Sequence, residues 1–151
     1  MYSKDELKQL RKDFWEGFGL FCENLPRFKY KKRRWILYNT KIKGVEMKFD
    51  ASREGAFVIL EVNLRDKEER LLMFEKIKLY KTIIESWFDQ PLIWDSSFVR
   101  EAGNEVSRVY VQCLGLDIHR HIQWFDFYRF MADGMLKMES AFEEIKEMLT
   151  S

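Results

Sequence analysis

The chain has 151 residues, 46% hydrophobic, 16% aromatic and 34% charged, with a formal net charge of +1. That composition excludes a disordered chain, and the near-neutral charge weighs against a protein that coats nucleic acid through phosphate contacts. Two cysteines, Cys22 and Cys113, are too few for a disulfide framework and sit in apolar contexts, as core thiols would. The charged opening "MYSKDELKQLRKDF" predicts no signal peptide, and no apolar run approaches the ~20 residues that cross a bilayer. The expectation is a single domain over residues 1–151 in a reducing cytoplasm, away from membranes. A chain of this length buries about 68–70% of its unfolded surface and needs no metal to fold.

In chain order, Ser3 and Glu6 form a capping box, and Leu7, Leu10, Phe14, Phe18, Phe21 and Leu25 then recur at helical spacing until Pro26. Three strands follow. "RWILYNT" is apolar and β-rich. "VEMKFD" sets Val45, Met47 and Phe49 against Glu46, Lys48 and Asp50. "AFVILEVNL" puts Val58, Leu60, Val62 and Leu64 on one face and Phe57, Ile59, Glu61 and Asn63 on the other.

From Lys67 to Phe88 the period is helical, with Met73, Ile77, Tyr80, Ile84 and Trp87 in line. "QPLIW" and "VSRVYVQCL" read as two strands joined by a turn at Gly103-Asn104. Asp117 is placed to cap a last helix with the stripe Trp124, Tyr128, Met131, Met135, Met138, Phe142, Ile145 and Leu149, which tolerates Gly134. Steps of four and three give heptad spacing. The fold class is α+β, in the order α-βββ-α-ββ-α. An antiparallel sheet of about five strands, a three-stranded meander plus two, carries three helices on one face and is partly wet on the other.

The stretches "YSKDELKQLRKDFWEGFG", "RRWILYNTKIKGVEMKFDASREGAFVILEV" and "VSRVYV" resemble the bacterial domain-of-unknown-function 4268 family, in its short stand-alone form. The resemblance runs from Tyr2 to about Leu149, and "WILYNTKIK", Trp35 to Lys43, is its most recognisable piece. It implies a bacterial, cytoplasmic protein and carries no set of catalytic positions. Longer members join similar domains to other modules, some resembling restriction-type nucleases, so the resemblance leans towards nucleic-acid-related or defence-related settings.

Four candidate sites stand out. "PRFKYKKRRW" offers Arg27, Lys29, Lys31, Lys32, Arg33 and Arg34 to phosphates and Phe28, Tyr30 or Trp35 to bases. Strand alternation would split these charges between two faces, and a solvated connection fits the net charge better. Second, the start of the fold suggests a restriction-nuclease core, which needs an Asp and then Glu-x-Lys. "VEMK" lacks an Asp between Phe14 and Val45. In "LEVN", the expected pairing puts Asp50 opposite Phe57 and Glu46 opposite Glu61, leaving Asp50 and Glu61 ~13 Å apart along the ladder. A degenerate hydrolase is thus the weaker alternative.

The same register sets Glu46 and Glu61 about 5 Å apart at Cβ. Their repulsion needs a cation, Lys48 or Arg108, or raises a carboxyl pKa if they are desolvated. Alternatively both glutamates splay into water. This face, with Glu46, Lys48, Glu61, Asn63, Arg108, Tyr110 and Gln112, is the small-site candidate. Third, Asp117, His119 and His121 are metal-capable but lack a further strong ligand nearby, so no metal or cofactor is expected. Fourth, the last stripe spans about 37 Å at 1.5 Å per residue, longer than a small sheet covers. Part of it would protrude towards a second copy, so a homodimer is one expectation. The reading is a non-catalytic protein-association module, and a nucleic-acid binder using residues 27–34 is the alternative.

Overall fold

The computed structural model describes residues 2–25 and 37–150. Helix α1 (Lys4–Glu23) starts at the expected capping box: the Ser3 hydroxyl accepts from the Glu6 amide while the Glu6 carboxylate accepts from the Ser3 amide. Leu10, Phe14, Phe18 and Cys22 form its buried stripe. The predicted Pro26 stop lies outside the described residues.

Strands β1 (Leu37–Asn39), β2 (Val45–Ala51) and β3 (Gly55–Val62) follow, then helices α2 (Lys67–Lys78) and α3 (Lys81–Glu85). Strands β4 (Ile93–Val99) and β5 (Glu105–Leu114) and helix α4 (Trp124–Thr150) complete the order. Among the described residues there is one antiparallel sheet, in the order β1-β2-β3-β5-β4. Four strands carry it, and β1 adds three residues at one edge. The last hairpin folds back so that β5 lies beside β3.

Three expectations are corrected here. The single helix from Lys67 to Phe88 is two helices, making four α-helices among the described residues. Its apolar period runs through the break because the interruption is one tightened turn, in which the Tyr80 amide donates to the Ile77 carbonyl. Trp87, at the end of that stripe, is exposed. The fourth strand starts at Ile93 rather than Gln90, since Pro91 has no N–H and the Leu92 amide and the Trp94 indole donate to the Glu85 carboxylate. Asp117 does not cap α4. It accepts from the His119 amide and the Arg53 guanidinium, and a short 3₁₀ turn, His121–Gln123, leads into the helix.

All four helices pack on one side of the sheet. There Val45, Met47, Phe49, Val58, Leu60, Val62, Val109 and Val111 meet Phe14, Phe18, Met131, Met135 and Met138. Gly134 lets α4 approach β3 closely: a Cβ there would lie 2.9 Å from Val58 Cγ2. The α4 stripe is buried from Tyr128 to Leu149 inside the chain, so the expected protruding end does not occur. The first helix and the α2–α3 segment together cover what the sheet alone does not.

Candidate functional site on the open face of the sheet

The register matches the expected one residue for residue: Glu46 stands opposite Glu61, Lys48 opposite Ile59 and Asp50 opposite Phe57. Beyond β3, Glu61 pairs with Arg108, Ile59 with Tyr110 and Phe57 with Gln112. These side chains share the face that, among the described residues, carries no helix, and the face has two ends.

At one end, Glu61 is wholly buried. Lys48 Nζ lies 2.9 Å from its Oε1 and Arg108 Nε lies 2.9 Å from its Oε2, and the Arg100 guanidinium also donates to Oε1. The Asn63 amide is 3.5 Å away. Burial pushes the Glu61 carboxyl pKa up, but the bonds from Lys48, Arg100 and Arg108 and the charge of Lys48 outweigh it and hold the pKa below the ordinary 4.5. The cation that the glutamate pair was expected to need is there, since Lys48 and Arg108 both bond Glu61, while the other two expectations are corrected. Glu61 does not splay into water, and its pKa is lowered rather than raised, because three cations converge on one carboxylate. Glu46 is half-exposed and, among the described residues, reaches Lys48 at 4.0 Å.

At the other end lies a groove of about 410 Å³. Phe57, Ile59, Phe98 and Tyr110 supply its apolar surface, with the Phe57 and Tyr110 rings 6.2 Å apart at their centroids. The Arg108 guanidinium lies 3.9 Å above the Phe98 ring and forms the wall between the two ends. Gln112, Asp50, Ser52 and Glu54 line the rest. Among the described residues, the Tyr110 hydroxyl and the Gln112 side-chain amide have no hydrogen-bond partner, and Asp50 and Glu54 make no ion pair.

Phe98 reaches this face through a bulge. Trp94 pairs with Val109 on the helix side, and unbroken alternation would send Phe98 there too. One extra residue between Asp95 and Phe98 sets Phe98 opposite Val106 instead. The bulge backbone is satisfied by side chains: Asp95 accepts from the Ser97 amide, and the Ser107 hydroxyl and buried Arg70 donate to the Ser96 carbonyl.

A family model for a domain of unknown function (DUF4268) matches residues 10–146 of the chain. The chain belongs to that family. It has no significant match among curated proteins or among solved structures. The family description names no activity, so the site of this DUF4268 member has to be read from its own chemistry.

Of the residues singled out from the sequence, Arg108, Tyr110 and Gln112 line the groove, while Glu46, Lys48, Glu61 and Asn63 gather at the charged end. The basic run Arg27 to Arg34 lies outside the described residues. In the nuclease reading, Asp50 and Glu61 are separated along the ladder as expected, and both Glu61 oxygens are held by cations. His119 and His121 do not converge: the Tyr2 ring packs edge-on against His119, while His121 stacks on Trp124 at 4.1 Å. Among the described residues, no group of three His, Cys, Asp or Glu side chains is placed to hold a metal ion. Cys22 is buried, and burial pushes its thiol pKa up to about 12, which leaves it a core side chain. Among the described residues no helix is long and apolar enough to cross a membrane.

Sequence reasoning assigned Asp50, Phe57 and Ile59 to this face but did not count them in the small-site candidate, and it missed Phe98, Glu54 and Arg100. The polar trio Asp95-Ser96-Ser97 inside a strand was the available signal for the bulge.

Proposed function

We propose that this chain is a non-catalytic protein-association module that receives a polypeptide segment on the open face of its sheet. The observation that carries the reading is the groove of about 410 Å³ over Phe57, Ile59, Phe98 and Tyr110. An apolar floor with a few unsatisfied polar groups around it is the usual make-up of a recognition site. The Tyr110 hydroxyl and Gln112 amide can orient a backbone, and the rings can take one side chain. The titratable groups beside the floor argue against catalysis there. Arg108 is bound to Glu61, and among the described residues Asp50 and Glu54 make no ion pair.

The reading is tested by titrating the isotopically labelled chain with a neutral pentapeptide, one phenylalanine flanked by serines, and following amide shifts by NMR. Shifts centred on Phe57, Ile59, Tyr110 and Gln112 are expected. Shifts centred instead on the α1–α4 groove of Phe21, Leu25 and Phe125, or no shifts at millimolar peptide, contradict it.

A further inference from the structure

The charges of the open face are unevenly spent, and that unevenness specifies the occupant. Among the described residues, the cations Lys48, Arg100 and Arg108 all bond Glu61. Of the three, Arg108 also lines the groove, at the wall nearest Glu61. Nearby Arg53 is turned to Asp117, with Nη2 at 3.2 Å from the carboxylate. The groove rim holds Asp50 and Glu54, both exposed and, among the described residues, in no ion pair. Asp50 only accepts from the next amide in the chain, that of Ala51. The groove therefore offers an apolar floor and, at the rim away from Arg108, two carboxylates that make no ion pair among the described residues.

We infer that the occupant is a basic polypeptide segment that sets an aromatic or aliphatic side chain on Phe57 and Tyr110 and a lysine or arginine beside Asp50 and Glu54. The inference rests on the reading of the open face given above and adds the chemistry of the partner. Charge complementarity selects a cation here. A phosphate backbone would meet the two rim carboxylates, and an acidic peptide would be repelled in the same way.

The test compares two further pentapeptides, a phenylalanine flanked by arginines and its glutamate-flanked twin, by NMR titration of the whole chain at low and high salt. The basic peptide is expected to shift the Phe57, Ile59 and Tyr110 amides and to bind about three- to tenfold more tightly than the acidic one, from two exposed pairs. The preference shrinks as salt rises. In the D50N/E54Q double variant the two peptides are expected to bind alike. Both substitutions are at exposed positions, and an unchanged amide spectrum away from the turn confirms that the variant is folded. Equal binding of the two peptides, a preference that survives the double variant, or stronger binding of a short single-stranded oligonucleotide at the same amides overturns the inference. If the neutral peptide binds while charge makes no difference, only the inference falls. If no peptide binds, the reading of the face falls with it.

Discussion

The two sides of this sheet are built from alternate residues of the same strands, yet they are closed in different ways. On the helix side, β2 and β3 send out Val45, Met47, Val58, Leu60 and Val62, and α4 and α1 seal them with Phe and Met side chains. On the other side no helix of the described chain covers the strands, and a solvated polar surface would be the simple expectation. Instead Ile59 is 2% exposed and Glu61 is 0% exposed. Long side chains of the sheet itself do the covering: Lys48, Arg108 and Tyr110 lean over the central strand from its neighbours. One end of the open face is closed by charge pairing and the other is left as an apolar groove. The division falls at Arg108, which bonds Glu61 on one side and stacks on Phe98 on the other.

If the helix side carries the stability, damage there is the most costly. Phe18 is wholly buried, with its ring 4.9 Å from that of Phe49 and 5.6 Å from that of Tyr128. Phe18→Ala is expected to cost about 4 kcal/mol, read as a lowered urea midpoint with unchanged slope. A loss under about 1 kcal/mol would mean that α1 contributes little to the core.

At the charged end, Glu61→Gln is expected to cost about 3 kcal/mol, because it leaves three cations around a neutral amide. The pH dependence has a definite sign. The folded pKa lies below the ordinary 4.5, so the stability that Glu61 contributes is complete above that value and is lost as pH falls through the lower folded one. Thermal midpoints of the parent chain should therefore decline on the acid side with a component that the Gln variant lacks. Parallel acid profiles would show that the cations do not stabilise the carboxylate. The smallest effect is at Glu46. The repulsion expected from the register alone would make Glu46→Gln stabilising. With Lys48 4.0 Å away and Glu61 already neutralised, the same change is expected to lower stability by at most about 0.5 kcal/mol. A raised midpoint would restore the repulsion account.

Much of this was legible in the residues. The alternation of Val45, Met47 and Phe49 and the four-residue turn before Gly55 were enough to pair Glu46 with Glu61, since a one-residue slip would turn the apolar set outward. The Ser3 cap and the α4 stripe were equally readable. What stayed hidden depended on contacts between distant segments. Nothing local says that Arg100, beyond the end of β4, returns to Glu61, or that Arg70 on α2 supports the bulge that turns Phe98 outward. The tightened turn at Tyr80 keeps the apolar period and so cannot be seen in it. Polar patterning points to Tyr110 and Gln112 but not to the groove between them, because the rest of its floor is the apolar Phe57, Ile59 and Phe98.

The most direct measurement is a set of intermolecular NOEs between the phenylalanine ring of the bound basic peptide and the side chains of the chain. Contacts to the Ile59 methyls and to the Phe57 and Tyr110 rings are predicted. Contacts confined to Phe21 and Phe125 between α1 and α4, or a bound peptide with none to the open face, would contradict the account.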